Sequence, residues 1–443
     1  MNEMAKKEQA MHALGGIGHN LIYALFSGYL LIFYTDVFQL SPKFLTVLFL
    51  VARIWDAIND PMMGVICDRT HSKMGRYRIW LLRAAPVIAI SLILCFYVPN
   101  LSAGLAYVYA FVTYILLGMS FTAADIPYWT LPSVMTGDAE KRNNVFSSSS
   151  IVASLASGVG AVAVPAIVSA FPEQKTGYLV TAIIFAVIGI ITYSVTALNT
   201  QERVEPERKE YSLKLALTTL FQNKPLLIVM GASVFGNLAF QLKVGMNTYY
   251  GTYTLGDYNT VTLLSAMLLV GMLIGAGIVP KLIKTQGQKK AMLITLLAGA
   301  VFSAVYWIAG YKSLPVVLVF SVLTSVVVGA FTVLINSMTA DTIDYAELKF
   351  GQRNEGIITS TRTFITKLAT AVAGVIVTLT LEFIHYIPNV EQTTEVKQTF
   401  HNLMSLIPAL FYLVGFLIFL TYPLTKEKFA EMEEKLKEKR EKT

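Results

Sequence analysis

An all-α membrane protein of about twelve transmembrane helices, arranged as two six-helix bundles, is predicted by three observations. The 443-residue chain is 55% hydrophobic and only 14% charged, too apolar for a soluble protein of this length. Apolar runs of about 20 residues, enough to cross a bilayer core, recur along most of it. A long polar stretch, NTQERVEPERKEYSLKLALTTLFQNKP, follows the sixth of these runs and divides them into two sets.

In order, the spans are expected at about 13–34, 43–66, 79–99, 104–131, 145–170, 178–198, 225–254, 260–283, 289–310, 314–341, 356–386 and 398–422. Lys6 and Lys7 precede the first without a small-residue cleavage site after a short apolar core, so that helix is expected to be retained. The chain divides into an N-terminal bundle over 1–198, a central loop over 199–224, a C-terminal bundle over 225–422 and a tail over 423–443. An even number of spans puts both ends on one side. Basic residues choose that side: Arg69, Lys73, Arg76 and Arg78 follow the second span, Lys141 and Arg142 the fourth, and Lys281 to Lys290 the eighth. The opposite loops hold little beyond Asp36 and Lys43, Asp257, Lys312, and Glu391 with Glu395. A multi-pass cell-membrane protein with both termini cytoplasmic is expected. GVICDRTHSKMGRYR after the second span and KLIKTQGQKK after the eighth hold equivalent places in the halves, as in a parallel repeat. The alternating charges of KEKFAEMEEKLKEKREKT suit a solvated helix.

Composition also excludes function classes. The formal net charge of +7 is spread over short loops and forms no basic patch for nucleic acid. Cys67 and Cys95 are too few for a disulfide framework and lack metal-ligand spacing. No HExxH, GxSxG, P-loop or paired-cysteine zinc pattern appears in its required context. Neither an enzyme nor a nucleotide-driven pump is therefore expected, no cofactor is implied, and an ion gradient is the remaining energy source. His12, His71, His385 and His401 fall near span ends or in loops and are read as polar surface.

The chemistry sits inside the spans. VARIWDAINDPMMG places Asp56 and Asp60 one turn apart in the second span, with Arg53 a turn before and Asn59 beside them. Charges at membrane depth cost several kcal/mol each and must face a polar cavity and pair. Hard oxygen donors suit a small hard cation, and a carboxylate could instead carry a proton. A purely structural Arg53–Asp56 ion pair is the competing reading, and it leaves Asp60 without explanation. Two carboxylates on one helix also suit an intramembrane aspartyl hydrolase poorly, since that chemistry brings its acids from separate helices.

Gly64-x3-Asp68-Arg69 followed by Gly75-Arg76-Tyr77-Arg78 resembles the loop motif of the major facilitator superfamily. The resemblance implies that Asp68, Arg69, Arg76 and Arg78 bias one conformation by pairing at the cytoplasmic ends of the halves; otherwise they are a plain positive-inside loop. ARIWDAINDPMMG, ADIPYWTLP (Ala124 to Pro132) and ADTIDYAELKFGQRNEG (Ala340 to Gly356) together resemble the glycoside-pentoside-hexuronide:cation symporters, and YTD at Asp36 and YIPN at Pro388 extend the likeness over nearly the whole chain.

That resemblance implies a cation-coupled glycoside symporter working by alternating access, with Na+ or H+ and a small-molecule glycoside as partners, as a monomer in the bilayer. It places the cation, Na+ first, on Asp56, Asn59, Asp60 and Thr122. It places the sugar on Asp125 and Trp129, where a carboxylate accepts hydroxyl protons and an indole stacks on a pyranose face. Thr363 and Lys367 share a face of the eleventh span, and Lys367 matches the family lysine that links the two sites; Arg362 lies about 140° around from it. On the first span Asn20 and His19 replace the acid and lysine that bind galactose in melibiose permease, and the arginine of the fifth span falls at about Ser150, so melibiose is not the expected substrate. Lys243 in NLAFQLKVGMNTYYGTY could meet an anionic group on the sugar or neutralise an acid; Tyr249, Tyr250 and Tyr253 nearby suit a pore mouth or interface belt. Sodium-dependent lysolipid transport by the same fold family is the alternative.

Overall fold

The computed structural model describes residues 4–204, 221–350 and 355–441. Ala340–Phe350 of the third family segment are thus described, whereas 351–354 lie outside, as does most of the central loop. Among the described residues the chain is helical with no strand. It divides into two compact units, one of Met1–Arg208 with Val261–Ser265 and Thr378–Val390, the other of Lys209–Thr260, Ala266–Val377 and Glu391–Thr443.

The first unit holds α1 (Lys6–Ile32), α2 (Pro42–Arg69), α3 (Arg78–Cys95), α4 (Ala103–Met135), α5 (Ala139–Ser169) and α6 (Gln174–Asn199). Helix α1 packs on α5 and α6, α3 on α4 and α6, and α2 on α4. Helix α2 starts where the Ser41 hydroxyl accepts from the amide of Phe44 and Pro42 takes the first turn, where its missing N–H costs nothing. Val47, Ile54, Ile58, Met62 and Val65 form one exposed apolar stripe along α2; Asp56 and Asp60 fall nearly opposite it, and Asn59, about 100° around, is buried. A helix with one greasy exposed face and acids on the other fits lipid outside and a polar interior.

The second unit holds α7 (Lys224–Tyr249), α8 (Asn259–Ala309), α9 (Leu314–Phe350), α10 (Glu355–Phe383), α11 (Thr394–Met404), α12 (Leu406–Leu420) and the tail helix α13 (Lys426–Glu441). Its core joins Leu226, Val229 and Met230 of α7 to Leu296 of α8, Val327, Phe331 and Leu334 of α9, and Tyr412 and Phe419 of α12. Two breaks are written in the residues. Gly287 interrupts α8 at φ 75°, a left-handed conformation that glycine adopts without steric cost. Pro408 lacks the N–H that would bond the carbonyl of Met404, and the chain leaves helical geometry at Ser405 between α11 and α12.

Ten of the described helices are long and apolar enough to cross a membrane. The 51-residue α8 is one of them although the chain breaks at Gly287, and α2 is absent because its charges exceed what such a helix ordinarily carries.

Candidate functional site

Helices α2 and α4 build the acidic part of the site. Thr122 of α4 donates its hydroxyl hydrogen to Oδ1 of Asp60 at 3.1 Å, and Arg53 donates to Oδ2 of Asp56 at 3.0 Å. Asp56 also faces α4: its Oδ1 is the nearest atom, 3.8 Å away, to a methyl group built on Gly118. Asn59 is buried between these acids in sequence, and its amide Nδ2 has no hydrogen-bond partner among the described residues. Pro61 cannot donate to the carbonyl of residue 57, which leaves one more oxygen in the same turn without its helical partner. Asp56, Asp60 and Thr122 thus meet on the α2–α4 contact, away from the exposed stripe, and Asn59 is buried on α2. The Arg53–Asp56 ion pair of the competing reading is present, and it leaves Asp60 held by a hydroxyl.

One turn along α4 from Thr122 stands Asp125, and one turn further Trp129, so the two proposed ligand sets share a helix. His19 of α1 brings Nε2 to 3.2 Å from Oδ1 of Asp125, and its Nδ1 is 2.7 Å from the hydroxyl of Tyr193 on α6. The imidazole stacks on Tyr128 and stands edge-on to Trp129. Sequence reasoning treated His19 only as a departure and missed this contact. Asn20 takes no part in that contact: its Nδ2 donates to the carbonyl of Gly16 and its Oδ1 accepts from Ser157 of α5 at 3.1 Å.

Two histidines correct the sequence reading. His12 is fully buried, with Nδ1 at 2.8 Å from the Ser149 hydroxyl and Nε2 at 3.0 Å from the carbonyl of Tyr128. Pro132 has no N–H for that carbonyl, so His12 supplies the missing donor. His401 is likewise buried, with Nδ1 at 3.0 Å from the Tyr250 hydroxyl, which in turn accepts from Tyr306 at 2.9 Å. Tyr249, Tyr250 and Tyr253 are buried in the second unit rather than displayed as a belt. His71 and His385 are exposed as expected.

In the second unit Lys243 is 6% exposed, and its ammonium donates to the hydroxyl of Thr324 on α9. Thr363 and Lys367 lie one turn apart on α10, Thr363 exposed and Lys367 half-buried. Arg362 turns to α9, where it donates to Asn336. Gln241 of α7 donates to Thr370 of α10 below that face.

The loop from Asp68 to Arg78 is held by a residue that sequence reasoning did not single out. The Glu202 carboxylate accepts from the backbone amides of Arg76, Tyr77 and Arg78 at 2.8, 2.9 and 2.9 Å. Gly75, at φ 107°, turns the chain so that three successive amides converge, and a methyl group there would collide with that carboxylate. Arg78 donates to the carbonyl of Ala197, while Asp68 accepts from the Tyr77 phenol at 2.7 Å and Arg69 is exposed. Burial, then the bond to Asp68, holds the Tyr77 phenol above its ordinary range. Arg203 pairs with Glu8 at 2.6 Å, which strengthens the arginine's hold on its proton. Gly75, Arg76, Tyr77, Glu202 and Arg203 line a cavity of about 630 Å³ together with Thr70, His71 and Lys73.

The family model described as MFS/sugar transport protein matches residues 11–426, nearly the whole chain. The protein belongs to this family. Within it, the chain is 30% identical to the isoprimeverose transporter of Lactiplantibacillus pentosus, with 98% of this chain and 92% of that one covered. It is 27% identical to a putative glycoside/cation symporter of Escherichia coli, over 96% and 93% of the two chains. The crystal structure of a D-xylose–proton symporter superposes with a TM-score of 0.69 at 15% identity, covering 95% of this chain and 98% of that one. That likeness supports an all-helical major facilitator fold. The glycoside-pentoside-hexuronide:cation relationship drawn from the three sequence segments agrees with the family and its relatives.

Proposed function

We propose that this protein is a secondary active symporter that couples entry of Na+, or else H+, to uptake of a glycoside across the cell membrane by alternating access. One observation carries the reading: Thr122, which bonds Asp60, and Asp125, which stands beside Trp129, lie one turn apart on α4. Cation and sugar ligands on adjacent turns of one helix give each occupant leverage over the other's geometry, and linkage makes that leverage reciprocal.

In this reading the cation is bound by Asp56, Asn59, Asp60 and Thr122, whose carboxylate, amide and hydroxyl oxygens suit a hard ion. Asp125 accepts hydroxyl protons from the sugar, and Trp129 offers a face for its C–H side. We assign Asn20, Thr363 and Lys367 to further polar contacts, and Lys243 to an acidic group on the substrate, because a buried amine whose hydrogen-bond partner among the described residues is a hydroxyl favours an anion. Asp68, Arg69, Arg76 and Arg78 bias the conformational equilibrium at the loop that Glu202 holds. Counting α2, and splitting α8 at Gly287, gives about twelve crossings in two six-helix bundles, with both termini cytoplasmic and the monomer as the working unit.

Uptake of a glycoside panel into proteoliposomes, under separately imposed sodium and pH gradients, tests the proposal. Accumulation driven by one of these gradients is expected; accumulation under neither contradicts symport.

A further inference from the structure

We propose that His19 is a positioning residue for Asp125: held as the neutral tautomer with its proton on Nε2 and anchored by Tyr193, it fixes the carboxylate that accepts the sugar hydroxyls. The inference rests on the reading of Asp125 as the sugar acceptor and goes further in assigning how that acceptor is oriented.

The Tyr193 hydroxyl is fully buried, and its hydrogen-bond partner among the described residues is His19 Nδ1 at 2.7 Å. A buried phenol can satisfy its proton there only if Nδ1 is an acceptor. In neutral imidazole the other nitrogen then carries the hydrogen, and that nitrogen lies 3.2 Å from Asp125 Oδ1. Donation therefore runs in one direction, from Tyr193 to His19 to Asp125. An imidazolium would bear hydrogens on both nitrogens and leave the phenol's proton buried without an acceptor, which costs free energy. The reverse tautomer would set the Nε2 lone pair against the carboxylate.

The ring has little freedom to abandon this geometry. His19 is 4% exposed, stacks on Tyr128 with centroids 5.4 Å apart, and meets Phe121 at 4.6 Å. Tyr128 is itself fixed by its carbonyl contact with His12. Asp125, by contrast, keeps about a quarter of its side chain exposed. A carboxylate steered on its buried side meets a substrate donor without the rotational loss a loose acid would incur.

The test uses the full-length protein in detergent or nanodiscs, with p-nitrophenyl glycosides of xylose, glucose, galactose and glucuronic acid as probes. The tightest binder to the parent then serves for every variant, with Kd by calorimetry. His19→Gln places an amide N–H near the Nε2 position and is expected to bind within about 3-fold of the parent. His19→Asn reaches only toward Tyr193, and His19→Leu reaches neither; both are expected to raise Kd about 10- to 100-fold, the worth of one hydrogen bond to a charged group. The uptake rate at saturating probe should fall far less than Kd rises, a split that general misfolding would not give. If His19→Leu fails to melt cooperatively, the Gln against Asn comparison decides alone.

Binding by His19→Leu within 2-fold of the parent, or equal losses in the Gln and Asn variants, would overturn the positioning role. Asp125→Ala separates the two layers of the account. If it binds like the parent, or if no probe binds the parent, the pocket reading itself fails; if it loses binding while His19→Leu does not, only the inference falls.

Discussion

Thr122 of α4 and Asp60 of α2 are joined by a hydroxyl-to-carboxylate hydrogen bond of 3.1 Å, on the face of α2 that turns away from its exposed apolar stripe. The hydroxyl oxygen keeps lone pairs while its hydrogen satisfies the acid, so under the proposed function the same group would serve the empty and the loaded site. Thr122→Ala is expected to weaken apparent cation affinity about 10-fold, the equivalent of ~1.4 kcal/mol, with sugar affinity at saturating cation nearly unchanged. Cation titrations of probe uptake check this. An unchanged titration midpoint would remove Thr122 from the ligand set.

Lys243 is buried, and among the described residues its amine donates to the hydroxyl of Thr324. Lys243→Met, which keeps length and apolar bulk, is expected to cut affinity for a glucuronide probe at least 10-fold and to leave a neutral glycoside within about 3-fold. Competition between the two probes in one assay reads that selectivity. Equal losses for both would assign the ammonium to structure rather than to specificity.

Glu202 satisfies three consecutive amides at the end of the loop after α2. Glu202→Ala should destabilise the first unit by roughly 2–4 kcal/mol, because charge-assisted bonds are lost and buried donors are left unmet. Gly75→Ala should act in the same direction through its positive φ and its collision with the carboxylate. Thermal unfolding in detergent measures both. A melting temperature equal to the parent's for Glu202→Ala would show that water replaces the carboxylate without loss.

The Tyr77 phenol gives a pH signature with a definite sign. Its folded value is raised, so its contribution is complete below about pH 10, the ordinary phenol range, and is lost as pH climbs through the higher folded value. The parent's melting temperature should therefore fall more steeply above about pH 10 than that of Tyr77→Phe. Parallel slopes would contradict the assignment.

Much of this was legible in the residues, and the reasons differ from element to element. Apolar length revealed the membrane class, and the i, i+4 spacing of Asp56 and Asp60 revealed one acidic helix face, because both signals are local. Asp125 and Trp129 could be read the same way. His19 could not: its partners Asp125 and Tyr193 are distant in sequence, and only packing of α1 against α4 and α6 brings them together. His12 and His401 were read as surface because they fall near span ends, yet both bond groups buried within their units. For His12 a signal was available in retrospect, since Pro132 announces an unmet carbonyl at Tyr128. Glu202 lay in a polar stretch whose composition suggested only a linker, and its role depends on the turn at Gly75. Helix α8 shows the converse case: its break at Gly287 lies within KLIKTQGQKK, where charge had already placed a loop.

Gradient-driven uptake by Asp60→Asn proteoliposomes decides whether the carboxylates of α2 bind the coupling cation. This change keeps the side chain's shape and removes its charge. Loss of cation-driven accumulation, with probe exchange down its own gradient retained, is the expected result. Accumulation that still follows the imposed sodium or proton gradient at the parent's level would contradict the account.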